Sequence, residues 1–466
     1  MNIFLEDNLK TSTKINWYSV HKKILKLQNR IVKQLNKKNF RDVRNLQRLL
    51  VKSFATQLLI SQKLISKNDI NKLNLYKKSR DNYFLHSLNL NNFIQLQQER
   101  SFKEYKHNYF KFLELLWVLA FIPVNETLSD PLSYNYRLYR TQVDILKELH
   151  STFNFNDYKW LLIIKPSGFF KKNNKKWLIN NILLEKKILK YHLKNEKFAN
   201  FYRKYYNHKE IIETKKISLT KLIKSSCFYG FVKFKEQILP ELISSPINQQ
   251  EVLLTPTIYY NDIIFIPSNN LVKLKIIYKL VFQFLHNRGL TIKKNRLWVI
   301  NLLNGFNFLG WSFKKKKGRT IFKISRENIK SHQLDVKKFL KSARFLPIDK
   351  VIIILNKKII SWQYYYSYTP DLYKVWAEMN YYLFWRVWRW CKKRHKNKGV
   401  KWLYSKYWFY NEKNKWIFHV NKHYLKKYEL KSQKIVTLPG SINACDIKNW
   451  KTIQNTVLIK AANMKN

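Results

Sequence analysis

Only three cysteines stand in the 466 residues, at Cys227, Cys391 and Cys445. Their odd number and wide spacing exclude a disulfide framework and a paired-cysteine zinc site, and point to a reducing compartment. Glycine (8) and proline (10) are scarce, while Lys, Asn, Ile, Tyr and Phe abound. The scarce pair have GC-rich codons and the abundant five have AT-rich ones, so the chain carries the drift of an AT-rich genome, in an organelle or an AT-rich bacterium. No apolar run is long enough to span a membrane; that at 115–124 is too short. The first ten residues include Glu6 and Asp7 and show neither an Arg/Ser-rich presequence nor an apolar leader, as expected of a protein made where it works. Acidic residues are also few, 29 against 89 Lys and Arg. AT drift does not favour Lys over Asp by so wide a margin.

What is present is a folding sequence, 45% apolar and 16% aromatic. A compact chain with net charge +60 repels itself and needs a polyanion, for which nucleic acid is the obvious candidate.

Residues 17–65 read as two helices. In the first, Ile24, Leu27, Ile31 and Leu35 share a face, opposite Lys23, Lys26, Arg30, Lys33 and Lys37. The second carries Leu46, Leu49, Leu50 and Ser53, with Arg41, Arg44 and Arg48. Two successive basic faces are either solvated or bound to RNA, and the net charge favours RNA. Residues 66–110 are polar, weakly periodic and expected to be loop-rich. A buried strand is expected at 160–164, and basic helices over 171–225. Two strand-like runs in 252–266 around Tyr259–Asp262 suggest a hairpin, followed by a helix at 271–285 that ends near Gly289. Strands are expected within 299–313 and 320–324, split by Lys314–Lys317 and Gly318. Beyond 330 the chain reads as helical and strongly aromatic, with no internal repeat.

Taken in order, residues 27–31, 46–50, 133–137, 305–311 and 359–418 resemble the reverse transcriptase and maturase proteins of group II introns. Leu27-Gln28-Asn29-Arg30-Ile31 and Leu46-Gln47-Arg48-Leu49-Leu50 resemble the family's opening helices. Ser133-Tyr134-Asn135-Tyr136-Arg137, with Arg140 nearby, resembles its Ser-Tyr-Gly-Phe-Arg segment. Gly305-Phe306-Asn307-Phe308-Leu309-Gly310-Trp311 resembles the strand that supports its palm. Residues 359–418 are similar to its maturase domain, domain X, with Trp390, Lys393, Arg394, His395, Trp402, Lys406, Tyr407 and Trp408 in the matching places.

The resemblance implies an α+β fold: a degenerate right-hand fingers and palm, then an all-helical thumb and domain X. Residues 1–110 would be basic helices and a fingers-like region, 111–325 the palm, 326–430 the thumb and domain X, and 431–466 a tail without a nuclease module. A polymerase palm needs carboxylates to hold two metal ions. The family's Asp-Ile-x-Gly-Phe-Phe-Asp aligns with Lys165-Pro166-Ser167-Gly168-Phe169-Phe170-Lys171, and its Tyr-Ala-Asp-Asp with Tyr259-Tyr260-Asn261-Asp262. The resemblance therefore implies that metal ligands are lost at Lys165 and Asn261. Asp262 is left as a vestige satisfied by nearby Lys or backbone. Its Pro-Gln-Gly and Arg-Pro-Leu-Gly-Ile-Pro motifs are missing too. DNA synthesis is not expected, nor a catalytic residue, a metal, a cofactor, a small-molecule substrate or a membrane.

Phe384, Val387, Trp388 and Cys391 should be core, with Arg386, Arg389, Lys393 and Lys396 opposite and Lys398, Lys401 and Lys406 extending the basic face. Trp385, Trp388 and Trp390 read as core. Trp402, Tyr404 and Trp408 could be core or could stack bases, and Arg394 and Tyr407 are counted with them as RNA contacts. His395 reads as structural or phosphate-contacting. The expected partner is group II intron RNA, and the expected place is an organelle, a plastid (chloroplast) before a mitochondrion. The alternative is a maturase-derived RNA-binding protein associated with ribosomal or other organellar transcripts.

Overall fold

In the computed structural model the described residues are 16–64, 102–155, 157–194, 217–242, 246–411, 415–429 and 436–465. The region expected to be loop-rich lies outside them up to residue 101. The chain forms two compact units, each drawn from separate stretches. Unit 1 comprises Met1–Ile145, Leu161–Val299 and Leu438–Leu458; unit 2 comprises Leu146–Trp160, Ile300–Thr437 and Ile459–Asn466.

Unit 1 opens with three helices where two were expected: α1 (Trp17–Asn36), α2 (Phe40–Lys52) and α3 (Phe54–Leu64). Asn16 and Asn39 cap the first two by accepting from the Ser19 and Asp42 backbone amides at 3.0 and 3.3 Å. Ser53 stands between α2 and α3 with extended backbone, ψ 133°, which breaks the helix. The predicted face buries Ile24, Ile31 and Leu35, and Leu46 and Leu50 after them, whereas Leu49 is exposed. Against these helices packs α4 (Phe102–Leu128). Gln47 is fully buried there and donates to the Ala120 and Leu183 carbonyls, at 3.4 and 2.9 Å.

Next come α5 (Gln142–Phe155), β1 (Trp160–Ile164), α6 (Lys172–Asn181), α7 (Lys186–Lys194), α8 (Leu219–Ser226), α9 (Phe231–Leu242) and α10 (Pro246–Leu254). Residues 252–254 thus end a helix and are not a strand. The hairpin follows as β2 (Ile258–Tyr260) and β3 (Ile263–Ser268), then α11 (Leu271–His286) and β4 (Leu297–Asn301). The sheet order is β2-β3-β1-β4. The two turn residues of the hairpin, Asn261 and Asp262, have φ of 48° and 64°. A two-residue hairpin turn whose twist suits the strands needs positive φ at both positions, and Asn and Asp tolerate it best after Gly. The outer edge of β2 is covered by 132–134: Tyr134 N–H donates to the Tyr259 carbonyl at 2.9 Å, and Tyr259 N–H to Leu132 at 3.2 Å.

Unit 2 holds a meander of β5 (Phe306–Phe308), β6 (Trp311–Lys316) and β7 (Arg319–Ile324). The basic run Lys314–Lys316 lies within β6, and only Lys317-Gly318 forms the break. Gly310 has φ of 88°, and a Cβ there would strike the Tyr366 hydroxyl. The glycine is needed for both reasons. Trp311 beside it is fully buried and donates its indole N–H to Thr369 Oγ1 at 2.7 Å.

The rest of unit 2 carries α12 (Arg326–Ser342), α13 (Ile348–Tyr366), α14 (Tyr373–Arg394) and α15 (Val400–Tyr407). The expectation of an all-helical domain X fails after that. Trp408–Asn411, Lys415–Val420 and His423–Tyr424 form an antiparallel sheet, β8-β9-β10. The last helix, α16 (Trp450–Lys465), lies in the tail, where the sequence shows no pattern.

His332 sits in an aromatic cluster of unit 2. Its ring stacks on Trp362 at 4.4 Å and its Nε2 lies 2.8 Å from the Tyr428 hydroxyl. Burial pulls its pKa down to about 4. The folded state therefore binds fewer protons than the unfolded one between the ordinary value of 6.5 and about 4. Stability is full above pH 6.5 and falls as pH drops through this window, by at most about 3 kcal/mol. Denaturant midpoints at pH 7 and pH 4.5 should show a loss that His332→Asn reduces; an equal loss in both proteins would contradict it.

Candidate nucleic-acid interfaces

Unit 1 offers a basic helical face. Burial of Ile24, Ile31 and Leu35 on one side of α1 leaves Lys22, Lys23, Lys26, Arg30, Lys33 and Lys37 exposed on the other. On α2, Arg41 and Arg48 are exposed and Arg44 is half-buried. Arg48 is engaged within the protein: its Nε lies 3.2 Å from Glu185 Oε2. Such an exposed pair contributes at most about 1 kcal/mol, and a phosphate could compete for the guanidinium.

The hairpin tip of unit 1 carries the residues aligned with a metal site. Asn261 and Lys165 are exposed, and Asp262 is half-buried. Asp262 donates its backbone N–H to Asn135 Oδ1 at 3.4 Å. Its Oδ1 is buried without a hydrogen-bond partner, and so is Asn135 Nδ2. Burial pushes the Asp262 pKa up, and the charges of Lys224, Lys165 and Lys221 pull it back. The expected satisfaction of this carboxylate thus comes as the field of three lysines, while Oδ1 lacks a hydrogen bond. Lys224 also lies 5.2 Å from the Phe169 ring centroid and 5.6 Å from that of Phe170. Among the described residues no three His, Cys, Asp or Glu side chains gather as a metal site, and no helix is long and apolar enough to cross a membrane.

The two arginines of the segment after Ser133 face inward. Arg137 pairs with Glu126 at 3.0 Å, their side chains 2% and 0% exposed. It also donates to the Gly440 carbonyl and, at 2.9 Å, to that of Ile442. Arg140 donates to the Pro439 and Ile442 carbonyls at 2.6 and 2.7 Å. These side chains hold the tail against unit 1 and are not a free basic surface.

Unit 2 carries the second candidate interface, on α14 and α15. Leu383, Val387, Trp388, Trp390 and Cys391 are buried. On the exposed side stand Arg389, Lys392, Lys393, Lys396, Lys398, Lys401 and Lys406. Three cations ending α14 also suit the negative end of a helix. Arg386 is half-buried, its guanidinium 4.9 Å from the Tyr382 ring centroid.

Four sequence-derived positions need correction. Tyr407 and Trp408, proposed as RNA contacts, are each only 4% exposed. Trp408 packs on Trp388 and Phe418 at 5.2 and 4.8 Å, and the Tyr407 hydroxyl bonds His395 Nε2 at 2.8 Å. Neither presents a ring face to a base. Arg394 spends its Nη1 on the Arg344 and Leu346 carbonyls, at 3.2 and 2.6 Å. Trp385, expected in the core, is 38% exposed beside Tyr381, itself 69% exposed, at a ring distance of 6.2 Å. The spacing Tyr381, Trp385, Arg389 is one helical stripe, a signal present in the sequence but masked by the number of neighbouring aromatics.

Trp402 and Tyr404 are half-buried. Lys398 and Lys406 flank Trp402, their ammonium groups 5.4 and 4.7 Å from its ring centroid. Tyr404 leans on Trp388 at 4.8 Å. Burial first, then the charges of Arg394, Lys406 and Lys398, lower the His395 pKa. Its Nε2 lies 2.8 Å from the Tyr407 hydroxyl.

Two family models match the chain. Residues 13–73 match the N-terminal domain of reverse transcriptase, and residues 329–408 match the group II intron, maturase-specific domain. The first covers the basic helices of unit 1, and the second ends on Trp408. The chain is also similar to the ribosomal operon-associated A protein of Euglena longa, with 24% identity over 264 residues. That match covers 56% of this chain and 44% of the relative, so the chain spans less than half the length of the protein it matches.

Proposed function

We propose that this chain, a protein of the group II maturase type, is an RNA-binding splicing factor that stabilises the folded form of a group II intron. The observation that carries the proposal is a coincidence of place. The segment matching the maturase-specific domain contains Arg389, Lys393, Lys401 and Lys406, all exposed, and the Trp402 ring with the Lys398 and Lys406 ammonium groups beside it. Such a surface suits a phosphate backbone with an unpaired base beside it. The RNA supplies the chemistry. A protein that binds the folded intron more tightly than the unfolded one shifts that equilibrium by mass action. In this reading residues 1–325 are a remnant of fingers and palm, residues 326–430 are thumb and domain X, and the protein works in a plastid.

The same reading assigns no DNA synthesis. Two-metal transfer needs several carboxylates. The aligned positions hold Lys165 and Asn261, and lysines surround the remaining Asp262. These residues do not fit a divalent pair. Purified protein on a primed RNA template should give no extension above background. Extension abolished by Asp262→Asn would contradict this assignment.

A second reading has its own support. The relative's name ties that protein to a ribosomal operon, which favours a role on ribosomal transcripts. Splicing of an isolated intron at low Mg²⁺ separates the two. A rise in rate on adding the protein supports the intron, and no rise with tight binding to ribosomal transcript supports the alternative.

A further inference from the structure

The small sheet of unit 2 has two unlike faces. Trp408 and Phe418 are partners in register and are buried together. The pleat sends the next residue along each strand to the other side. There stand Phe409 on β8 and His419 on β9, with Tyr424 of β10 opposite His419 in register. The Phe409 ring meets the His419 ring edge-on, at 4.9 Å and 88°. Phe409 is 42% exposed and Tyr424 55%. Together with Asn421, Lys422 and His423 they line an open cavity of about 340 Å³.

The frame under these rings is fixed. Asn356 on α13 donates its Nδ2–H to the Tyr424 carbonyl and accepts from the Lys426 backbone amide, both at 2.8 Å. The Leu425 amide donates to the Phe418 carbonyl at 2.8 Å. Asn421 takes φ of 53° in the turn before β10, a conformation Asn tolerates. Rings held on a rigid backbone lose little freedom when a ligand arrives.

We propose that this sheet face binds an unpaired RNA base, stacked on Phe409 and Tyr424, with its phosphate beside Lys422. The proposal rests on reading the chain as an RNA-binding protein, but the site is separate from the basic face of α14 and α15. Exposed rings on one face of a sheet, here on the two strands that flank β9, suit the flat faces of splayed bases. The lining supplies a lysine and two histidines and no carboxylate. In a chain of net charge +60 that favours a polyanion over an apolar or basic protein segment.

The test uses the full chain with two probes, a short single-stranded oligouridine and a blunt RNA duplex. Phe409→Ala and Tyr424→Ala should each weaken oligouridine binding about tenfold, the effect of one stacked base, and leave duplex binding unchanged. Tyr424→Phe should keep wild-type affinity, because it retains the ring. Ultraviolet crosslinks from the oligouridine should map to Phe409, His419 or Tyr424. Both substituted residues are exposed, so folding should survive, and circular dichroism checks it. Wild-type affinity in both alanine variants would overturn the site and leave RNA binding by the chain intact. Equal losses on the duplex would overturn base stacking. A wild-type chain that bound neither probe would overturn the site and the RNA-binding reading together.

Discussion

Replacing Arg389, Lys393 and Lys401 together by glutamate should weaken binding to the cognate intron about 100-fold. All three side chains are exposed. Their removal leaves no buried group unpaired, so the fold should be unaffected. Each charge-assisted phosphate interaction at such a surface is worth about 1 kcal/mol, and removing three gives about two orders of magnitude. The salt dependence gives an independent readout. Every phosphate that is no longer neutralised takes nearly one unit from the slope of log affinity against log salt, so the triple variant's slope should be shallower by about two to three. Charge reversal with unchanged slope would place the RNA backbone elsewhere on the protein. A conservative triple to lysine and arginine, Arg389→Lys with Lys393→Arg and Lys401→Arg, should stay close to wild type.

Arg137→Ala should cost unit 1 about 3–5 kcal/mol, the usual cost of stranding one member of a buried ion pair. Glu126 would be left fully buried without its cation. The Gly440 carbonyl would lose its Arg137 donor as well, and the Ile442 carbonyl would keep only Arg140. Urea unfolding should show the loss, and protease should then cut within 436–446. Glu126→Gln combined with Arg137→Met removes both charges and should recover part of the stability. Gly440→Ala should resemble Arg137→Ala by another route, since its Cβ would land on the Pro131 carbonyl. A tail that resisted protease in Arg137→Ala would mean that Arg140 and the packing of Leu438, Ala444 and Ile453 suffice to hold it.

What could be seen in the sequence follows the range of the forces involved. The apolar stripes of α1 and α2 were legible because helical period and burial coincide there. The hairpin at 258–268 was legible because two apolar runs flank a turn-forming Asn-Asp pair. The Gly305 to Trp311 segment was legible as a motif, and its physical ground is the space Gly310 leaves for Tyr366. Other features were hidden. The sheet at 408–424 is too rich in aromatics on both faces for an alternation to stand out, and the resemblance to domain X suggested helices throughout. The tail is bound by its own carbonyls to Arg137 and Arg140, and backbone bonds leave no side-chain pattern. Trp385 was misplaced because α14 carries more aromatics than its buried side can take, and periodicity alone does not choose which is left out. At the hairpin tip, the sequence showed the replaced carboxylates, but not that the partners of Asp262 would be lysines from α8 and from the end of β1.

The central claim is that the basic face of the maturase-specific segment binds an intron. The direct measurement is crosslinking of the protein to RNA in its own compartment, with sequencing of the RNA and mapping of the crosslinked residues. The expected result is enrichment of one or a few group II introns, with crosslinks on 386–406 that disappear in the glutamate triple. Enrichment of ribosomal or other intron-free RNA, or intron crosslinks confined to residues outside that segment, would contradict it.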